Sequence, residues 1–90
     1  MAHEPETVIA TVVHTKSKIL TDMELPTNVP IKKLKTKILD VLKNIHEGIF
    51  MNWSECELVY SSHLLGNDET LSSAGIFEGA YLYIIGNIYN

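Results

Sequence analysis

The stretch Pro30 to Ile45, PIKKLKTKILDVLKNI, constrains the fold of this chain most. Ile31, Leu34, Ile38, Val41, Leu42 and Ile45 recur at three- and four-residue steps, which places them on one face of a helix of about four turns. Lys32, Lys33, Lys37, Asp40 and Lys43 fall on or near the other face. Pro30 suits a first helical position, because its ring holds φ at a helical value and its missing N–H would have no partner there. Thr27 or Asn28 offers a capping oxygen upstream, and Gly48 offers a stop. No other stretch repeats with this period, and β-like segments flank it on both sides. A single amphipathic helix has to bury its apolar stripe on a sheet, so the chain is predicted to be α+β.

The flanking segments supply that sheet. Thr7 to Thr15, TVIATVVHT, is rich in β-branched residues and reads as a strand. Its run from Val8 to Val13 is too continuously apolar for alternation to fix the inward face. Lys16-Ser17-Lys18 forms a turn, and Ile19 to Leu25 forms a second strand, with Met23 and Leu25 on one face and Asp22 and Glu24 on the other. So short a connection makes the pair a hairpin. After the helix, residues 46–56, HEGIFMNWSEC, are unusually apolar for an irregular segment. A lid over one end of the helix accounts for Ile49, Phe50, Met51 and Trp53, and an exposed docking patch is the other use for them. Glu57 to Ser61 reads as a strand, Ser62 to Leu65 as a short one, and Gly66-Asn67-Asp68 as a turn. Thr70 to Ile76 is a helical turn anchored by Leu71 and Ile76. Ala80 to Ile85 is a late strand that sets Leu82 and Ile84 on one face and Tyr81, Tyr83 and Ile85 on the other. The predicted order is β-β-α-β-β-β, one main helix over about 30–45 packed across a mixed sheet, as a single domain over 7–86. Residues 1–6 and 87–90 are predicted to be short tails, the first of them disordered.

Ninety residues allow one core. No run is long enough to cross a membrane. The start, MAHEPETV, has neither the basic nor the apolar region of a secretory signal, and the single cysteine, Cys56, has no internal disulfide partner. Both features predict a cytoplasmic protein. The formal net charge is −4, and every basic residue is a lysine. Five of the lysines lie between Lys32 and Lys43, so a basic helix face sits on an acidic body. Such a face is either a solvated surface or a dock for an acidic partner or anionic lipid heads, with at most peripheral membrane contact. Nucleic acid is excluded as the expected partner by the negative total and by the lack of arginine, whose fork geometry suits bases and phosphates.

Catalytic chemistry is not expected. Cys56 has no histidine and acid beside it in a nucleophile motif. His3, His14, His46 and His63 are scattered, without metal-ligand spacing or a cysteine pair. There is no glycine-rich phosphate loop and no paired-carboxylate motif. No enzyme, cofactor or metal is predicted.

The order of elements and its anchors resemble ubiquitin over nearly the whole chain after residue 7. Leu25 to Ile31 keeps ubiquitin's spacing between second strand and helix. The segment LVYSSHLLGNDETLSSAGIFEGAYLYI is similar to its later strands, with Leu58, Leu65, Leu71, Ile76 and Leu82 as core anchors. Ala74 stands where ubiquitin often has a corner tyrosine. A closer resemblance is to the EsaB/YukD family, the small bacterial ubiquitin-like proteins encoded with type VII (WXG100) secretion systems. LPTNVPIKKL is similar to that family's strand end, loop, proline, aliphatic residue and lysine, and LLGNDETLSSAGIFEGAYL resembles its late pattern, with Ala80 in place of an acidic residue.

That resemblance implies a β-grasp roll and a cytosolic accessory or regulatory role in a type VII secretion machine, with protein partners. Ubiquitin-like folds often bind through the exposed face of the sheet. Carried onto this chain, that face contains Val59, Tyr83 and Ile85, with the Lys16–Lys18 turn beside it and Tyr81 as an extension. The same side chains also suit packing on the tail through Ile88 or Tyr89, or a homodimer. Lys32, Lys33, Lys37 and Lys43 form the second candidate surface. A ubiquitin-like modifier or sulfur carrier is the alternative function. Both need a C-terminal Gly-Gly, and the chain ends Gly86-Asn87-Ile88-Tyr89-Asn90, so no conjugation is expected.

Overall fold

The computed structural model describes residues 6–86. Strands β1 (Thr7–His14) and β2 (Ile19–Pro26) form the expected hairpin, followed by helix α1 (Ile31–Ile45), β3 (Cys56–Tyr60), β4 (His63–Leu64) and β5 (Tyr81–Gly86). One mixed sheet holds all five strands in the order β2-β1-β5-β3-β4. The last strand is the central one, lying parallel to β1 and antiparallel to β3. Closing β5 between two strands laid down earlier ties both ends of the domain into one sheet. The tails expected over 1–6 and 87–90 lie outside the described residues except for Glu6, whose carbonyl accepts from the Thr27 N–H (2.9 Å).

The helix crosses one face of the sheet with Ile31, Leu34, Ile38, Leu39 and Leu42 buried. Under it lie Val8, Ala10 and Val12 of β1, Met23 and Leu25 of β2, Leu58 of β3, and Leu82 and Ile84 of β5. The structure thus decides the face that the apolar run in β1 left open. Two helix positions differ from expectation. Ile45 is 57% exposed, and Leu39 is buried instead. A 3.6-residue period allows a stripe wide enough to include either neighbour of the central row, and Leu39 joins the core cluster together with Cys56, beside which it lines one groove. Pro30 stands at the N-cap, one position earlier than expected, and makes no side-chain cap. The first helical N–H groups are satisfied from far along the chain: Ile31 N–H donates to the Glu69 carbonyl (2.8 Å) and Lys32 N–H to the Asn67 carbonyl (3.2 Å).

The 46–56 segment divides into an inner and an outer part. Phe50 is fully buried and Trp53 nearly so, while Ile49 and Met51 are exposed. Phe50 and Trp53 meet edge to face with ring centroids 4.9 Å apart, and the His14 ring stands edge-on to both, at 5.3 and 5.2 Å. The Trp53 indole also lies on the backbone of Gly86, where an added β-carbon would come within 2.7 Å of three ring carbons. The lid is therefore clamped over the ends of β1 and β5.

Candidate functional site

The face of the sheet opposite the helix carries the candidate site. Its strands alternate, so Ile9, Tyr81, Tyr83 and Ile85 point away from the core and remain exposed. The register sets one outward position of each strand in a row. Leu20 of β2 lies opposite Val13 of β1, Val13 beside Tyr83 of β5, Tyr83 beside Val59 of β3, and Val59 opposite Leu64 of β4. One apolar side chain per strand thus crosses the whole sheet, a span of about 19 Å for five strands. Leu20 and Leu64 at its ends are 60% and 56% exposed. Val13 is only 9% exposed yet lies outside the core cluster.

Polar groups flank this row unevenly. On the side toward the β1–β2 turn stand Lys16, Ile85 and Glu57. On the other side stand Asp22 and Glu24 of β2, held by hydroxyls of β1: Thr11 Oγ1 donates to Asp22 Oδ1 (2.7 Å) and Thr7 Oγ1 to Glu24 Oε2 (2.8 Å). Tyr81 lies on this second side, beside Thr11. At the Lys16 end the face deepens into a depression of about 400 Å³, lined by His14, Lys16, Trp53, Val59, Tyr83 and Ile85 among others. Val59, Tyr81, Tyr83 and Ile85 are therefore gathered on one surface. Leu20, Val13 and Leu64 belong to it as well. Leu20 and Val13 could have been found by continuing the strand alternation, once the inward face of β1 was known.

The architecture described so far has known counterparts. The fold is a ubiquitin-like β-grasp. The chain is similar to the ubiquitin-like domain of the Mycobacterium tuberculosis type VII secretion system protein EccD1, with a TM-score of 0.73 and 22% identity, covering 89% of this chain and 98% of that one. The ubiquitin-like domain of EccD5 from Mycobacterium xenopi gives a TM-score of 0.76 at 12% identity, over 96% of this chain and all of the other. Ubiquitin of Caldiarchaeum subterraneum gives 0.68 at 18% identity, over 93% and 98%. No protein-family model and no curated protein matches the chain.

The second candidate surface is split in the β-grasp. Lys32, Lys35 and Lys43 border one groove of about 330 Å³, which also contains Asp40, Glu55 and Cys56. Lys35 Nζ is paired with Glu57 Oε1 at 3.0 Å. Lys33 and Lys37 are exposed on the next stripe of the helix, one turn apart. The groove is thus of mixed charge, and the four lysines do not converge on one point.

Cys56 is buried, and its Sγ–H donates to the Lys35 carbonyl at 3.6 Å. Burial raises the thiol pKa to about 11 despite the nearby Lys35, so the thiolate needed for nucleophilic attack is scarce at neutral pH. His14 and His46 are brought to the same aromatic ring, Phe50, but each is engaged locally: His14 with the Ser17 hydroxyl, His46 with the Thr21 hydroxyl at 3.1 Å. Burial, and then Lys16, lower the His14 pKa below its ordinary value. His63 lies exposed on β4, and His3 is outside the described residues. Among the described residues, no three of the histidine, cysteine and acidic side chains group as a metal site would require, and no helix is long and apolar enough to cross a membrane.

Proposed function

We propose that this domain is a non-catalytic protein-interaction module that acts without being conjugated, as a cytoplasmic accessory or regulatory component of a type VII secretion machine of the EsaB/YukD kind. The observation that carries this reading is the unbroken apolar row from Leu20 to Leu64 on the uncovered face. Apolar groups arranged across every strand of a sheet, rimmed by charge, suit burial against a partner surface. Tyr83, at the centre of the row, has the size and the polar tip typical of residues that dominate binding energy, and Val59, Tyr81 and Ile85 surround it. Two solved ubiquitin-like domains of similar fold belong to type VII secretion proteins, which supports the same setting here.

The test is affinity capture from native cytosol and membrane fractions with the wild-type chain and with Tyr83→Ala. Secretion-machine subunits are expected with the first and not with the second, while both variants melt cooperatively. Equal recovery by both would move the site to the lysine helix, and loss of that capture in high salt would identify it. Covalent adducts in place of reversible partners would favour the modifier reading.

A further inference from the structure

The lid over residues 46–56 is fastened to the sheet through side chains. Its backbone hydrogen bonds are local: Ile49 N–H donates to the His46 carbonyl (3.3 Å) and Trp53 N–H to the Phe50 carbonyl (3.1 Å). The fastening is a cluster of four rings. Phe50 reaches the core, and Trp53 rests on Gly86. His14, the last residue of β1, stands edge-on to both. His46, the C-cap of α1, meets Phe50 alone, with ring centroids 6.2 Å apart. Each imidazole is also placed by a hydroxyl of the hairpin, Ser17 for His14 and Thr21 for His46. His14 is therefore the one histidine that touches both anchors of the lid.

The surroundings of His14 suit its neutral form. Phe50 and Trp53 of the lid carry no charge, Ile19 is its cross-strand neighbour in β2, and β5 offers the phenol of Tyr83. The carboxylates of the lid, Glu47 and Glu55, are exposed. Among the described residues, the charge that acts on the ring is the Lys16 ammonium, of like sign to an imidazolium. A proton on His14 therefore sets a cation between two apolar rings and beside a second cation. Opening the Trp53 side relieves both, because a depression of about 400 Å³ already leads from His14 and Trp53 to solvent.

We propose that His14 is a proton-operated catch for the lid: the neutral ring holds Trp53 closed, and the protonated ring releases it while the fold stays intact. The lowered pKa of His14 agrees with this, since a closed lid that disfavours the proton is itself disfavoured by it. Trp53 and His14 line the same depression as Tyr83 and Val59, so release reshapes that end of the open face. This last consequence rests on the reading of the face as a binding surface; the catch itself does not.

Trp53 is the single tryptophan, so its emission reports the lid directly. The emission maximum and its quenching by acrylamide are followed from about pH 7.5 to about pH 5, beside far-UV circular dichroism. Intensity alone is no guide, because an imidazolium next to an indole quenches it without movement. A red shift and stronger quenching are expected, with a midpoint below 6.5 and constant dichroism. The transition should vanish in His14→Gln and move to higher pH in Lys16→Gln, which lacks the repelling charge. Attraction of an imidazolium to the ring faces would tighten the lid instead, and weaker quenching at low pH would overturn the proposal. So would a flat profile, a transition that survives His14→Gln, one lost in His46→Gln alone, or one that coincides with loss of dichroism. Should His14→Gln fail to fold, an unmoved midpoint in Lys16→Gln decides against the catch. Affinity capture keeps the two readings apart: partners lost by Tyr83→Ala at pH 7.5 support the binding face whatever the lid does, and a working catch on a chain that captures nothing leaves the catch standing and removes the binding face.

Discussion

The two faces of the sheet are cut from the same strands and are built with similar side chains, yet they do different work. On the helix side, Leu58, Leu82 and Ile84 meet Leu34, Ile38 and Leu42, and nothing polar intervenes. On the other side, Val59, Tyr83 and Ile85 alternate with them along the same backbone, one residue away, and meet solvent. The helix side is closed by the lid, whose Phe50 has no exposed surface. The open side is rimmed by charges and hydroxyls that hold each other in place across β1 and β2. Apolarity alone therefore does not distinguish a core from an interface. The covering element does.

Single substitutions should separate the faces by the size and kind of their effect. The largest loss is expected from Phe50→Ala, at about 3–5 kcal/mol in urea unfolding, because a buried ring leaves a cavity its neighbours only partly fill. Tyr83→Ala, as large a truncation on the open face, should cost about 1 kcal/mol or less, the scale of cross-strand contacts on a sheet surface. Comparable losses at the two positions would mean that the open face is structural.

Gly86→Ala sharpens the contrast at the place where the faces meet. The added methyl would run into the Trp53 ring at 2.7 Å, so either the lid or the end of β5 must move. Overpacking of this kind costs roughly 1–3 kcal/mol. Trp53 fluorescence should report a more solvated indole, and an unchanged spectrum with unchanged stability would show that the ring is not clamped there.

The smallest effect concerns pH. His14 holds its pKa below the ordinary 6.5, first through burial and then through Lys16. Near and below pH 6.5 the unfolded chain then binds more protons than the folded one, so stability falls as pH drops through that range. The urea midpoint should be lower at about pH 5.5 than at about pH 7.5. The difference should shrink in His14→Gln and persist in His63→Gln, whose parent side chain is exposed. Equal pH dependence in the wild type and in His14→Gln would remove His14 as its source.

Much of this fold could be read along the chain because its periodicities are clean. The helix stripe, the alternation in β2 and β5, and the buried anchors Leu58, Leu65, Leu71, Ile76 and Leu82 all follow from local spacing. The β3–β4 hairpin was less legible. Ser61 and Ser62 both adopt positive φ, 52° and 65°, as a tight two-residue hairpin turn requires, although asparagine and glycine are the usual signals for it. Of the candidate site, Val59, Tyr81, Tyr83 and Ile85 were visible from alternation and resemblance. Leu20, Val13 and Leu64 were not, since their place in the row depends on register between strands as far apart in sequence as Val13 and Tyr83, which no local spacing records.

By itself the sequence determined the number and kind of elements, the inward faces of β2, β5 and the helix, and the lack of any recognisable catalytic motif. Those depend on short-range geometry, periods of two and 3.6 residues that a chain carries wherever it folds. Only the tertiary structure decided the inward face of β1, the burial of Leu39 in place of Ile45, and the capping of the helix by carbonyls of Asn67 and Glu69. It also decided that Trp53 rests on Gly86 and that five separate apolar residues line up across the sheet. Each of these depends on which distant segment comes to lie alongside, and that is settled by the packing of the whole domain around one core.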